Sequence, residues 1–346
     1  MKRLYFLTVF IMVAFGFLAI DRLSHLTLDQ WEQRSVSFIS NGTILKGTLV
    51  LPPSNTPPPV AVIVHGDGAS TRFLDGALHP FANALLDSGI GVFSWDKPGV
   101  GESGGNWLDQ SMTSRASEAL TALNTIRHEP DIDETRVGFI GFSQAGWVVP
   151  MAAQKGHPAF SVIIGGAVNW RDQGIYFTRK RLELEGLSPL EAGLRAMDYQ
   201  LGHDKVFLSL EPEEREDARQ SFVRRNYRAD AKEDLGQLNG PLLALWGSED
   251  LNVDPASNSA IYSEVLTARD NAQIHIVPDA NHALLDSRWF NYQTFSNWPE
   301  TRKFAFMAFG KGAYANGALS LMSDWIWQVL PPANDPPAAG LVSEGS

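Results

Sequence analysis

VGFIGFSQAG, residues 137–146, is the stretch whose reading decides the fold. Its first four residues form a short apolar run of the kind that suits a strand buried on both faces. Small residues then crowd around one serine at Gly141, Ser143 and Gly146, and residues 144–153 are compatible with a helix. Strand, tight turn and helix together make a nucleophile elbow, in which a serine is held at a strained backbone position with its hydroxyl exposed. The neighbours must be small because a Cβ beside that turn would collide with the strand or helix packed against it. Ser143 is therefore the candidate nucleophile. The pattern departs from G-x-S-x-G in one place, since Ala145 holds the second glycine position and Gly146 follows it. A turn rich in glycine and serine but without chemistry is the competing reading, and residues elsewhere have to decide between them.

Outward from this stretch the chain alternates strands and helices. Residues 35–39 and 43–51 read as antiparallel strands joined by the Asn41-Gly42 turn. After the proline-rich 52–59, the β-branched run 60–64 reads as a buried strand. A helix at 74–88, a strand at 90–95, a helix at 112–127, the elbow and a strand at 160–164 follow. Repeated β-α-β units imply an α/β fold with a mostly parallel sheet and helices on both faces. Between 166 and 239 the sequence turns charged and helical, with no clear strand, which predicts a helical cap across the carboxyl edge of the sheet. A solvated helical decoration is the plainer alternative. The alternation resumes with a strand at 242–246, a helix at 256–266, a strand at 273–277 and a helix at 317–329. The catalytic domain would thus be split into 35–165 and 240–330, and the Pro/Ala/Gly/Ser-rich 331–346 reads as a disordered tail.

A serine hydroxyl is a weak nucleophile until a base accepts its proton, and that base must be oriented by an acid. Asp250, in WGSEDLNVDP, lies just past the strand at 242–246. His282, in VPDANHALL, lies just past the strand at 273–277. Among the eight histidines, only His282 falls on a loop at the carboxyl end of a strand downstream of the elbow. Asp250 is preferred over Glu249, Asp254 and Asp279, of which Asp254 suits a helix cap. Donors for a developing oxyanion are expected from the backbone N–H of Gln144 and from the loop His65-Gly66-Asp67-Gly68, with Asp67 first. The stretch WDKPGVGES, residues 95–103, lacks the G-K-[ST] ending of a phosphate loop and reads as a structural loop at the carboxyl edge of the sheet.

Composition narrows the function classes. The 346 residues carry a net charge of −11, so nucleic acid, which needs a basic face, is not the expected partner. The absence of cysteine rules out disulfides, thiolate metal sites and a cysteine nucleophile. No H-E-x-x-H or clustered histidine pattern points to a metal, and no cofactor is expected. Lys2 and Arg3 precede seventeen uncharged residues, 4–20, as in a signal peptide or signal anchor. Export is the expectation, to the periplasm or outside the cell, with retention as a membrane anchor favoured over cleavage and membrane contact through this segment.

With VIVHGDG, FSWDKPGVGES, GFSQAG, ALWGSEDLNV and DANHALL in one order, the chain resembles the α/β-hydrolase superfamily, and within it the bacterial esterase and serine-aminopeptidase-like branches. The resemblance covers residues 35–330 and is weakest in the cap. It implies Ser143 as nucleophile, His282 as general base, Asp250 as its orienting acid, and the Asp67 and Gln144 amides as the oxyanion hole. The implied reaction is hydrolysis of a carboxylic ester in a small-molecule acyl substrate. An exopeptidase, amidase or thioesterase on the same residues is the main rival, and a membrane-anchored binding protein that keeps the fold without catalysis is the reading from another class.

Overall fold

The structure, a computed structural model, describes residues 22, 24–209 and 217–332. The segment read as a signal peptide or anchor lies outside the described residues, as does the tail from residue 333. The chain opens with β1 (Glu32–Ser40) and β2 (Thr43–Leu51), an antiparallel pair closed by Asn41 and Gly42, both at positive φ. β3 (Val60–Val64), β4 (Gly91–Trp95), β5 (Val137–Phe142), β6 (Ser161–Ile164), β7 (Leu242–Gly247) and β8 (Ala272–Val277) complete one eight-stranded sheet. Its order is β1-β2-β4-β3-β5-β6-β7-β8; β2 meets β4 antiparallel, and from β4 to β8 every pairing is parallel. The mostly parallel sheet expected from the sequence is present.

Every residue of β3 is buried, and successive side chains serve opposite faces, as the two-residue period of a strand dictates. Val60, Val62 and Val64 join the core beneath α2 (Met112–Arg127) and α3 (Val149–Gly156), while Ala61 and Ile63 join the core beneath α1 (His79–Asp87) and a C-terminal helix, Ala318–Val329. A strand covered on both sides has no use for polar alternation, which is why it reads as one continuous apolar run.

Between β6 and β7 the described residues form α4 (Trp170–Leu184), α5 (Pro189–Phe207), α6 (Ala218–Asn226) and α7 (Lys232–Gln237). Asn226, at the end of α6, is buried and ties this segment to the main body. Its Oδ1 accepts from the backbone N–H of Met112 at 2.8 Å, and its Nδ2 donates to the Gln110 carbonyl at 3.2 Å. After β7 come α8 (Pro255–Val265), α9 (Ser287–Phe290), α10 (Glu300–Phe309) and α11, the C-terminal helix Ala318–Val329.

Two expected helices are interrupted. The helix read at 74–88 is a 3-10 turn, Leu74–Gly76, followed by α1, because Leu74, Asp75 and Gly76 all hold positive φ and Pro80 suits a new first turn. The helix read at 144–153 begins as a 3-10 turn, Ser143–Gly146, and the α-helix starts only at Val149, again with a proline in its first turn. The stretch 285–313, which has no strong period, forms α9, α10 and a small aromatic core of Phe290, Trp298 and Phe306.

Candidate active site

Parallel strands deliver their following loops to one edge of the sheet, so β3, β5, β7 and β8 bring residues 65–68, 143, 250 and 282 to the same side. Ser143 sits where β5 ends and has φ 52°, a left-handed conformation that a residue with a Cβ seldom adopts. The space around it is kept by small residues. A Cβ at Gly66 would fall 3.1 Å from the Ser143 Cβ and 3.3 Å from the Phe142 carbonyl oxygen. Ala145, the departure from the usual pattern, is fully buried, and a Cβ at Gly141 would lie 2.8 Å from its methyl group. Gly146 meets a second glycine, since a Cβ there would fall 2.8 Å from the Gly166 Cα. The displaced glycine thus serves the contact between the elbow and the loop after β6.

His282 and Asp250 form a hydrogen-bonded couple. His282 Nδ1 and Asp250 Oδ2 are 2.7 Å apart, and the carboxylate is almost wholly buried at 1% exposure. Asp250 Oδ1 accepts from the backbone N–H groups of Asn252 and Val253 at 2.7 and 2.9 Å. Three donors converge on one carboxylate and fix its orientation. A carboxylate can only accept, so Nδ1 of His282 carries the proton and Nε2 is left as the acceptor. The Gly165-Gly166 turn lies between this couple and the elbow: a Cβ at Gly165 would be 2.7 Å from the His282 ring, and Gly166 touches Gly146. The Ser143 hydroxyl forms no hydrogen bond among the described residues, to His282 included.

The competing carboxylates have other tasks. Asp254 caps α8, accepting from Ala256 and Ser257 N–H groups, while Glu249 and Asp279 are exposed.

The backbone N–H groups of Asp67 and Gln144 have no hydrogen-bond partner among the described residues. Their side chains, in contrast, are engaged with each other. Gln144 Nε2 donates to Asp67 Oδ1 at 3.1 Å, and Arg219 of α6 holds the same carboxylate with both nitrogens, at 2.8 and 2.5 Å. Burial alone would raise the Asp67 carboxyl, but the Arg219 hydrogen bonds and charge outweigh it and hold it below the usual carboxylate range.

Beneath this loop lies a buried polar cluster that the motifs did not announce. Arg115, from α2, donates to the His65 carbonyl and to Gln144 Oε1. Lys97 Nζ donates to the Gly66 carbonyl at 2.5 Å and the Gly68 carbonyl at 2.8 Å. Glu118 accepts from Trp95 Nε1 at 2.8 Å and Gln110 Nε2 at 2.6 Å, and burial raises its carboxyl. His65 Nε2 faces the Trp95 carbonyl at 3.1 Å, and burial, with the Lys97 charge adding to it, pushes the imidazole down to about 3. Residues 95–103, read as a structural loop, therefore send Lys97 under the 65–68 loop. Asp96 of the same stretch pairs with Arg72 at 2.6 Å.

The helical segment between β6 and β7 reaches the site at two further points. Tyr176 of α4 donates its hydroxyl to the Asp250 carbonyl at 2.7 Å, and Gln173 donates to the Asn252 carbonyl at 3.1 Å. Among the described residues no group of acidic, histidine or cysteine side chains is arranged to hold a metal ion.

Several solved structures share this architecture at low sequence identity. An esterase from Pyrococcus furiosus is 15% identical, with a TM-score of 0.57 over 87% of this chain and 92% of that one. A dienelactone hydrolase from Anabaena variabilis is 17% identical, with a TM-score of 0.50 over 87% of this chain and all of the other. Est1E from Butyrivibrio proteoclasticus, solved with ferulic acid bound, is 16% identical, with a TM-score of 0.51 over 85% and 96%. At such identities the likeness is one of fold. The sequence profile of the Alpha/beta hydrolase family matches residues 61–291, a span that runs from β3 through the elbow to beyond His282. The chain belongs to the alpha/beta hydrolase family, and its sheet and helices form an α/β-hydrolase fold.

Proposed function

We propose that the protein is a serine hydrolase that cleaves a carboxylic ester through an acyl-enzyme. The observation that carries this reading is Ser143 at φ 52° at the end of β5, on the same edge of the sheet as the His282–Asp250 couple and followed directly by the unpaired amide of Gln144. Ser143 Oγ attacks the ester carbonyl carbon while His282 Nε2 takes its proton, and Asp250 steadies the imidazolium that forms. The carbonyl oxygen becomes an oxyanion and accepts from the two amides. Collapse breaks the bond to the alcohol, which leaves with the proton from His282. Water then gives a proton to His282 and attacks the acyl carbon; the acyl–Oγ bond breaks, Ser143 Oγ takes the proton back from His282, and the acid is released.

An ester is preferred to an amide because structural neighbours of comparable cover are an esterase and a dienelactone hydrolase. The segment 166–239 acts in this reading as a cap over the small-molecule acyl substrate. A fluorophosphonate probe tests the nucleophile: the wild type is expected to be labelled and Ser143→Ala is not. Equal labelling of both would remove the reading. Parallel assays on p-nitrophenyl acyl esters and aminoacyl anilides then separate esterase from peptidase or amidase, with turnover of the esters expected to be the faster.

A further inference from the structure

We propose that Lys97, with Arg115 beside it, is a positioning residue that fixes the Gly66–Asp67 peptide with its N–H on the Ser143 side of the loop. The inference rests on the oxyanion reading above and adds the device that orients one of its two donors. Gly66 C=O and Asp67 N–H belong to one peptide unit, and the described chain has no cis peptide bond. In a trans peptide these two groups point in opposite directions. The Lys97 ammonium holds the oxygen at 2.5 Å, so the N–H is turned the other way. The second bond, to the Gly68 carbonyl at 2.8 Å, pins the far side of the same turn. Glycine on both sides of Asp67, with Gly68 at φ 92°, would otherwise let this peptide rotate at little steric cost.

Arg115 extends the clamp to the second donor. Its guanidinium bonds the His65 carbonyl at the start of the loop and the Gln144 side chain at the elbow, so the segments carrying the two amides are tied to one rigid group on α2. A hydrogen bond accepted by a peptide carbonyl also polarises that peptide, which strengthens its N–H as a donor, and the effect is larger where water is excluded. Both side chains are nearly inaccessible, at 3% and 5% exposure. Neither has a carboxylate within ion-pair distance among the described residues, and the Glu118 and Asp67 charges act on both from farther off. Their donors go to main-chain carbonyls of the 65–68 loop and to Gln144. Burial, with the Arg115 charge adding to it, pushes the Lys97 ammonium well below the usual amine range, against the opposing pull of the Asp67 and Glu118 carboxylates.

The experiment is steady-state hydrolysis of a p-nitrophenyl ester by full-length Lys97→Met and Lys97→Gln, with active sites counted by fluorophosphonate titration. Inhibition by an alkylboronic acid, which forms a tetrahedral adduct on the serine, is measured alongside. For Lys97→Met we expect kcat per titrated site to fall by about 10- to 100-fold, KM to stay within about threefold, and the boronate Ki to rise in step with the loss in kcat. Lys97→Gln, which keeps a neutral donor, should fall between Met and wild type. If kcat per titrated site and Ki are unchanged while only the melting temperature drops, Lys97 is structural and the inference fails. Should Lys97→Met not fold, the same readouts on Lys97→Gln and Arg115→Lys decide it. A Ser143→Ala protein that keeps the wild-type rate would overturn the catalytic reading itself, a different result from wild-type dependence on Ser143 with indifference to Lys97.

Discussion

Asp250 shows how a single side chain acquires its task from its surroundings. Two backbone amides and one imidazole proton meet its carboxylate in a site that excludes water. Asp250→Asn keeps the shape but offers an amide N–H where an acceptor is needed, which favours the wrong imidazole tautomer. We expect kcat to fall by about 10³- to 10⁴-fold with the fold retained, as checked by kinetics alongside circular dichroism. Gly146 makes a packing argument at the same scale. A methyl group there would meet the Gly166 backbone at 2.8 Å, and backbone cannot step aside as a flexible side chain can. Gly146→Ala is expected to lose about 1–3 kcal/mol in urea unfolding. Ser143, Asp250 and His282 stood out in the sequence because each follows an apolar strand, and strand ends are the positions that topology brings together. Lys97 and Arg115 did not, because their partners are main-chain carbonyls about thirty and fifty residues away, and no spacing rule connects a side chain to a distant peptide.

Among the elements, the sheet was the most legible, since strands covered on both faces have an unbroken apolar composition. Helix starts were less so. The turn at Leu74–Gly76 depends on three successive positive φ values, and only Gly76 advertises that preference. The aromatic core of α9 and α10 was unreadable because Phe290, Trp298 and Phe306 belong to separate segments, two helices and the loop between them, and meet through tertiary packing alone. Between elements, the Arg219–Asp67 pair joins α6 to the loop after β3, with both side chains more than two-fifths exposed. Exposed pairs contribute little, so Arg219→Ala should change global stability by less than about 1 kcal/mol in denaturant titration. Its effect should instead fall on KM, and a larger loss in stability would show that α6 is held mainly by this contact.

For the molecule as a whole, acid sensitivity follows from His65. Its folded value is near 3, against an ordinary histidine value near 6.5, so the unfolded chain binds the proton first as pH falls. The stability this represents is fully present above about pH 6.5 and is lost progressively toward pH 3. Replacing His65 with Gln should reduce the slope of unfolding free energy against pH in that window by up to about 1.4 kcal/mol per pH unit, as read from urea titrations at several pH values. The apolar run 4–20 sets a second global expectation. No described helix is long and apolar enough to cross a membrane. In vesicle co-sedimentation the full chain is expected to bind and a chain beginning at Arg22, whose guanidinium is tied to the Phe309 carbonyl, is expected to stay in the supernatant.

The backbone at Ser143 has one more consequence, a conflict between persistence and activity. Holding a residue with a Cβ at φ 52° is unfavourable, and glycine would occupy that conformation without strain. Ser143→Gly should therefore yield an inert protein that melts later than the wild type, by an amount equivalent to as much as about 1 kcal/mol. Selection for thermal endurance alone would move this position away from serine; its retention would mark the hydroxyl as something the molecule keeps against its own stability.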